Sequence, residues 1–194
     1  QLLINLDQYQ GLVSIDQEQQ QATVRAGTKL YTLGETLFAH GLAMKNLGDI
    51  DRQSLGGTIG TGTHGTGLQF GSISTQVVKL RMVNGLGELV ECSPTQNVSL
   101  FKAAQVSLGA LGIITEITLQ CVPAYRLALQ NLKEPLATVL LELEDRYREQ
   151  RNFEFYWFPY TTSAWTKTSN IVTDQADKIS WLNHFTEYFL ENYA

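Results

Sequence analysis

The stretch LGGTIGTGTHGTG, Leu55 to Gly67, holds six glycines and four threonines in thirteen residues. Glycine loses more conformational freedom on ordering than any other residue, so backbone this poor in Cβ atoms is not an ordinary helix or strand interior. Something else must fix it. Close backbone packing is one solution. A ligand gripped by the backbone is another, because successive N–H groups converge on an anion without side-chain obstruction and threonine hydroxyls add donors.

Within the stretch, Gly60-Thr-Gly62-Thr-His-Gly65 spells G-x-G-x-x-G. The dinucleotide fingerprint also needs a strand before it, a helix opening at the last glycine, and an acidic residue about twenty positions on. Here Gly65 is followed by TGLQFGSIST, which has two more glycines and no helical periodicity. The phosphate-loop pattern fails too, since no G-K-[ST] is present. His64 has no second His, Cys or carboxylate at metal spacing and no nucleophile elbow beside it, so its ring is expected to order the loop by hydrogen bonds.

Composition narrows the partners. With 43% hydrophobic and 17% charged residues among 194, the chain reads as a globular protein able to bury a core. A net charge of −5 gives no electrostatic reason to expect nucleic acid or an anionic membrane. No apolar run reaches bilayer length. Cys92 and Cys121 stand far apart without close partners, which suits neither a disulfide framework nor a metal site and points to a reducing cytoplasm. The chain starts at Gln1 directly in patterned sequence and ends in the amphipathic WLNHFTEYFLENYA, as an interior piece of a longer protein would.

Strands are expected at Leu2–Leu6, Leu12–Ile15 and Ala22–Ala26. A helix capped by Thr28 follows, with apolar Leu30, Leu33, Leu37 and Phe38, closed by Gly41. Leu42–Leu47 returns toward the sheet. Gln76–Val83 and Glu88–Cys92 form a hairpin across an Asn84-Gly85 turn whose two residues tolerate positive φ. Pro94–Ser107 reads as a loop plus helix. A long strand then presents Ile113, Thr115, Ile117 and Leu119 on one face and stops at Pro123. Strand and helix mix without regular βαβ alternation, so the fold class is α+β, with residues 1–125 as one domain. Residues 126–194 begin a second, containing a helix over Leu136–Arg148 and the aromatic strand NFEFYWFPYT. There Phe153, Phe155 and Trp157 alternate with Glu154, Tyr156 and Phe158, as in a sheet packed on both sides. Glu154 is either a carboxylate raised in pKa by aromatic neighbours or an exposed strand residue.

Taken in order, NLGDIDRQSLGGTIGTGTHGTG (Asn46–Gly67), SLGALGIITEITLQCVPAY (Ser107–Tyr125) and FEFYWFPYT (Phe153–Thr161) resemble the vanillyl-alcohol-oxidase/p-cresol-methylhydroxylase-type FAD-linked flavoproteins, and within them the sugar-1,4-lactone and alditol oxidases. The resemblance implies a two-subdomain FAD-binding domain, of which residues 1–125 hold the second subdomain, followed by the start of a substrate-binding cap. It implies FAD as cofactor. It places Ser54 near the flavin ring and the substrate, and makes Gly57, Ile59, Gly62, Thr63, His64, Gly65, Ile113 and Ile114 cofactor contacts, the last two through main chain. The implied reaction oxidises a CH–OH group of a sugar lactone or polyol, with oxygen or another electron acceptor. The family's G-S-G-H-S-like loop and H-x-G-K-like element are expected upstream and downstream of this chain, so the catalytic residues are expected outside it. His64, which matches the second glycine loop, is not the covalent flavin anchor. A fragment that binds FAD without turnover, or an interaction module, stays open at this point.

Overall fold

The structure, a computed structural model, describes residues 4–173 of the 194. The chain divides into two compact units, Gln1–Ala124 and Tyr125–Ala194. The aromatic C-terminal sequence and residues 2 and 3 lie outside the described residues. The mixed helix-and-sheet class expected from the sequence is what forms.

The first unit is built on a five-stranded antiparallel sheet. In chain order its strands are β1 (Leu12–Asp16), β2 (Gln21–Arg25), β4 (Val77–Val83), β5 (Leu89–Cys92) and β6 (Ile113–Gln120), and in space they run β1-β2-β6-β4-β5. Two short strands, β3 (Leu42–Ala43) and β7 (Val122–Pro123), pair separately. Three helices complete the unit: α1 (Leu30–Ala39), α2 (Leu55–Gly60) and α3 (Val98–Ala104). Period-two alternation gives the sheet two unlike faces. One carries Val24, Ile117, Leu80 and Cys92 in adjacent register, and packs with Leu30, Leu33 and Leu37 of α1, Leu55 and Ile59 of α2, and Phe101 of α3. Each such fully buried aliphatic side chain contributes about 1.5–3 kcal/mol. The other face carries Arg25, Glu116, Arg81 and Glu91 in register across four strands. Arg81 reaches Glu91 at 2.6 Å and Glu116 at 3.0 Å, and Lys79 reaches Glu91 at 2.9 Å.

Several local expectations are corrected. Ile4–Leu6 form no strand. Lys29, not Thr28, occupies the N-cap of α1, because the Thr28 hydroxyl accepts the Gly11 N–H at 2.8 Å instead. The hairpin after β4 is a three-residue loop, with Gly87 rather than Asn84 or Gly85 at positive φ. The Asn84 side chain accepts the N–H groups of Leu86 and Glu88 and fixes the turn. In β6 the register shifts between Arg81 and Met82, leaving Thr115 as the extra residue. Ile114 joins Ile117 and Leu119 in the core in consequence, and Thr115 does not share their face. β6 also ends before Pro123, which pairs with Leu42 in β7.

The second unit has a three-stranded antiparallel sheet, β8 (Arg126–Pro135), β9 (Asn152–Trp157) and β10 (Ser163–Val172), in the order β8-β10-β9. Helices α4 (Leu136–Leu141) and α5 (Leu143–Glu149) replace the single expected helix, because Glu142 leaves helical geometry at ψ 6°. Its core is small: Val139, Phe153 and Ala164, with Leu136, Leu143, Tyr147 and Phe155 packed on them. Among the aromatic residues of β9 only Phe153 is buried, while Tyr156 and Trp157 stay about half exposed rather than packed on both sides. Glu154 lies opposite Lys167 with its carboxylate 3.5 Å from the ammonium.

Glu134 anchors the second unit's polar interior. Both its oxygens accept from the Arg146 guanidinium at 2.8 Å, and the Thr166 hydroxyl donates at 2.6 Å. The Arg146 bonds first, then that of Thr166, lower the Glu134 pKa from 4.5 to about 2. A carboxylate depressed by folding contributes stability that is full above its ordinary pKa and lost as pH falls through the folded value. Chemical denaturation followed by tryptophan fluorescence should therefore show stability falling between about pH 4.5 and pH 2. Glu134→Gln should flatten that part of the profile and cost about 1.5–3 kcal/mol at neutral pH. An unchanged acid limb would show that the pair does not govern it.

Candidate functional site

The glycine stretch is not loop throughout. Its first half is α2, and both ends of this six-residue helix are tied to the rest of the unit. Leu55 N–H donates to the Thr28 carbonyl and Gly56 N–H to the Ala26 carbonyl, each at 2.8 Å. A Cβ on Gly56 would stand 3.0 Å from that of Ala26, so the helix lies directly on the end of β2. At the other end Thr63 N–H reaches the Thr58 carbonyl at 2.9 Å and Gly62 N–H the Ile59 carbonyl at 3.1 Å. Gly62, at φ +68°, takes the left-handed position that closes a helix in this way. The Gly60 carbonyl accepts from Leu108 N–H at 2.9 Å, which joins α2 to the turn before β6.

The second half of the stretch crosses another segment. A Cβ on Gly65 would overlap the Leu47 carbonyl oxygen, and one on Gly48 would lie 3.0 Å from the His64 carbonyl oxygen. Asn46 donates to the Thr66 carbonyl at 2.9 Å, and Gln76 donates to the Asn46 carbonyl at 2.9 Å. Asn46 and Gln76 are buried polar side chains that sequence reasoning did not single out. Nothing in their local pattern distinguishes them from surface amides.

Of the expected site residues, Ser54, Gly57, Ile59 and Gly62 come together on and beside α2. Ile59 is fully buried, so any ligand contact it makes is through main chain; the same holds for Ile114, buried in β6. Ile113 and Ile114 pair with Val83 and Met82. The Thr63 hydroxyl lies 3.3 Å from that of Thr61. His64 is exposed, with Nδ1 3.0 Å from the Gly65 carbonyl oxygen, so its ring orders its own loop. The helix face opposite Leu55, Thr58 and Ile59 presents Ser54, Gly57 and Thr61. On that face Gly57 N–H, alone among the first-turn donors of α2, meets no acceptor among the described residues, and the Ser54 hydroxyl forms no capping bond. The two donors are adjacent: a Cβ on Gly57 would be 3.1 Å from Ser54 Oγ. Among the described residues no cluster of His, Cys, Asp or Glu could hold a metal ion, and no helix is long and apolar enough to cross a membrane.

Comparison with known proteins gives this geometry a context. A family model described as "FAD binding domain" matches residues 1–93, and one described as "D-arabinono-1,4-lactone oxidase" matches residues 117–194. The chain is similar to the FAD-linked sugar-1,4-lactone oxidases. An L-gulonolactone oxidase of Scyliorhinus torazame is 37% identical over 194 residues, covering 97% of this chain and 43% of that protein. A putative D-arabinono-1,4-lactone oxidase of Neurospora crassa is 39% identical, over 88% of this chain and 31% of its own length. An L-gulono-1,4-lactone dehydrogenase of Mycobacterium tuberculosis is 37% identical, over 90% of this chain and 40% of its own. The chain thus spans less than half the length of these curated relatives. A variant cholesterol oxidase from Brevibacterium sterolicum shares the fold, with a TM-score of 0.77 at 18% identity over 95% of this chain and 41% of that one.

The model matching residues 1–93 is that of an FAD-binding domain, and the chemistry of the α2 face fits such a cofactor. The exposed face of α2 offers unpartnered backbone and hydroxyl donors, and no Cβ at Gly57 shields them. Gly57→Ala on the full-length protein should keep or raise the melting temperature, since alanine favours helix over glycine by up to about 1 kcal/mol, yet weaken FAD binding measured by flavin fluorescence. Gly65→Ala should instead lower the melting temperature sharply, because the Leu47 backbone has to move. Equal effects of the two substitutions would show that the open face and the crossing have one role.

Proposed function

We propose that the intact protein is an FAD-dependent oxidoreductase that oxidises a CH–OH group of a sugar-derived 1,4-lactone or polyol, with oxygen or another electron acceptor. The observation that carries this reading is the open face of α2, with unpartnered donors at Ser54 and Gly57, in a chain whose relatives are named as sugar-lactone oxidases and dehydrogenases. Residues 1–125 are part of the FAD-binding domain, and residues 126–194 begin the substrate-binding cap.

Bound FAD supplies the two-electron redox chemistry. The chain supplies binding and orientation. Gly57 N–H and the Ser54 hydroxyl donate to the cofactor, and Ser54 also faces the substrate. Ile59, Ile113 and Ile114 contribute main chain, since the side chains of Ile59 and Ile114 are committed to the core. Gly62, Thr63, His64 and Gly65 line the same site beyond the end of α2, with Thr63 adding a hydroxyl. Closing the site against water strengthens each of these hydrogen bonds.

The test is the visible spectrum of the full-length protein before and after anaerobic addition of an aldono-1,4-lactone or a polyol. A yellow protein that bleaches on addition is expected. One that stays yellow with every lactone and polyol overturns the substrate class and leaves the cofactor in place. A colourless protein that cannot be reconstituted with FAD overturns both.

A further inference from the structure

Leu108 combines two unfavourable features, and nothing in its fold requires a leucine there. Its backbone stands at φ +51°, in the left-handed region that glycine and asparagine occupy most readily. Its side chain is 78% exposed, so the aliphatic surface gains little from the core. The turn that Ala110 N–H closes on the Ser107 carbonyl at 2.9 Å sets this backbone, with Gly109 at φ +75° beside it, and Leu108 N–H donates to the Gly60 carbonyl; glycine or asparagine could supply both. A leucine side chain held in water on strained backbone points to a contact made outside the unit's own packing.

Its neighbourhood identifies the contact. The Leu108 N–H bond places it at the C-terminal end of α2. Val106, another exposed aliphatic at 51%, lies there too, with a methyl 3.5 Å from where a Gly62 Cβ would be. The first turn of the same helix carries the unpartnered Ser54 hydroxyl and Gly57 N–H, and six residues span only about 9 Å. Polar donors at one end of α2 and exposed aliphatic groups at the other complement a ligand that joins flat aromatic rings to a charged linker.

We propose that Leu108 is a cofactor-contact residue whose side chain packs against an aromatic ring system of FAD, its left-handed backbone being held by the Ser107–Ala110 turn and the bond to Gly60. The proposal rests on the FAD reading above. It predicts that relieving the strain and binding the cofactor are opposed at this position.

The test uses full-length apoprotein freed of flavin, titrated with FAD by quenching of flavin fluorescence, alongside thermal melts without FAD. Leu108→Gly and Leu108→Asn both suit the left-handed backbone. Each should leave the apoprotein melting temperature unchanged or raise it by about 2–4 °C, and raise the FAD dissociation constant about tenfold. Gln20→Gly, at φ +52° in the turn between β1 and β2, should relieve similar strain with FAD affinity unchanged. Leu108 variants that bind FAD as tightly as the parent overturn the proposal. So do variants that melt lower, since the side chain would then be buried by other parts of the polypeptide. A parent apoprotein that takes up no FAD overturns the cofactor reading itself.

Discussion

A six-residue helix containing three glycines is far shorter than helices that persist in water, so α2 exists because tertiary hydrogen bonds hold both its ends. Leu55 and Gly56 are held by carbonyls of the segment between β2 and α1. Gly62 and Thr63 fold back on the last turn, and Leu108 takes the final carbonyl. Remove any one of these and the helix has no propensity of its own to fall back on. What remains after they are made is a single open face, and the candidate site is that face.

Ala26 carries the coupling between this helix and the sheet. Its carbonyl accepts from Gly56 N–H, and its N–H donates to the Thr115 carbonyl, both at 2.8 Å. Thr115 is the extra residue of the β6 bulge, and its hydroxyl donates to the Arg81 carbonyl at 3.1 Å. Thr115 therefore stands irregular toward β4 and regular toward β2. The bulge against β4 turns Ile114 inward beside Met82, while the unbroken register with β2 brings the Thr115 carbonyl to the strand end on which α2 rests. A β6 regular against β4 would place Ile113, Thr115, Ile117 and Leu119 on one face.

The elements legible in the sequence are those whose pattern is local. Leu30, Leu33 and Leu37 recur at helical spacing and are buried in α1, and Gly41 closes that helix at φ +73°. The alternation of QVVKLRMV reads as a strand and is one. Features set by distant partners were not legible. The β6 bulge depends on Arg81 and Met82, more than thirty residues away. β8 escaped notice because Leu127, Leu129 and Leu132 break period two and its surface is largely exposed. The aromatic strand misled for the opposite reason: its alternation is regular, but the core beneath it ends at Phe153. In the site, the glycine density was legible and the division of labour within it was not.

That division resolves the two readings the glycine stretch allows. Gly56 lets α2 lie on Ala26, Gly62 reverses the chain, and Gly65 lets it cross Leu47, so these three serve packing. They also consume or shield most of the donors that an anion would seek. Gly57 is different: no backbone approaches it, it has ordinary negative φ, and its N–H is left over. No unusual backbone angle calls for glycine at this position, and the nearest neighbour of a Cβ there, 3.1 Å away, is the side-chain hydroxyl of Ser54. Under the proposed FAD reading, a glycine at this exposed position lets a ligand come close to the backbone. The packing glycines hold the helix still, and Gly57 leaves its exposed face free of a side chain.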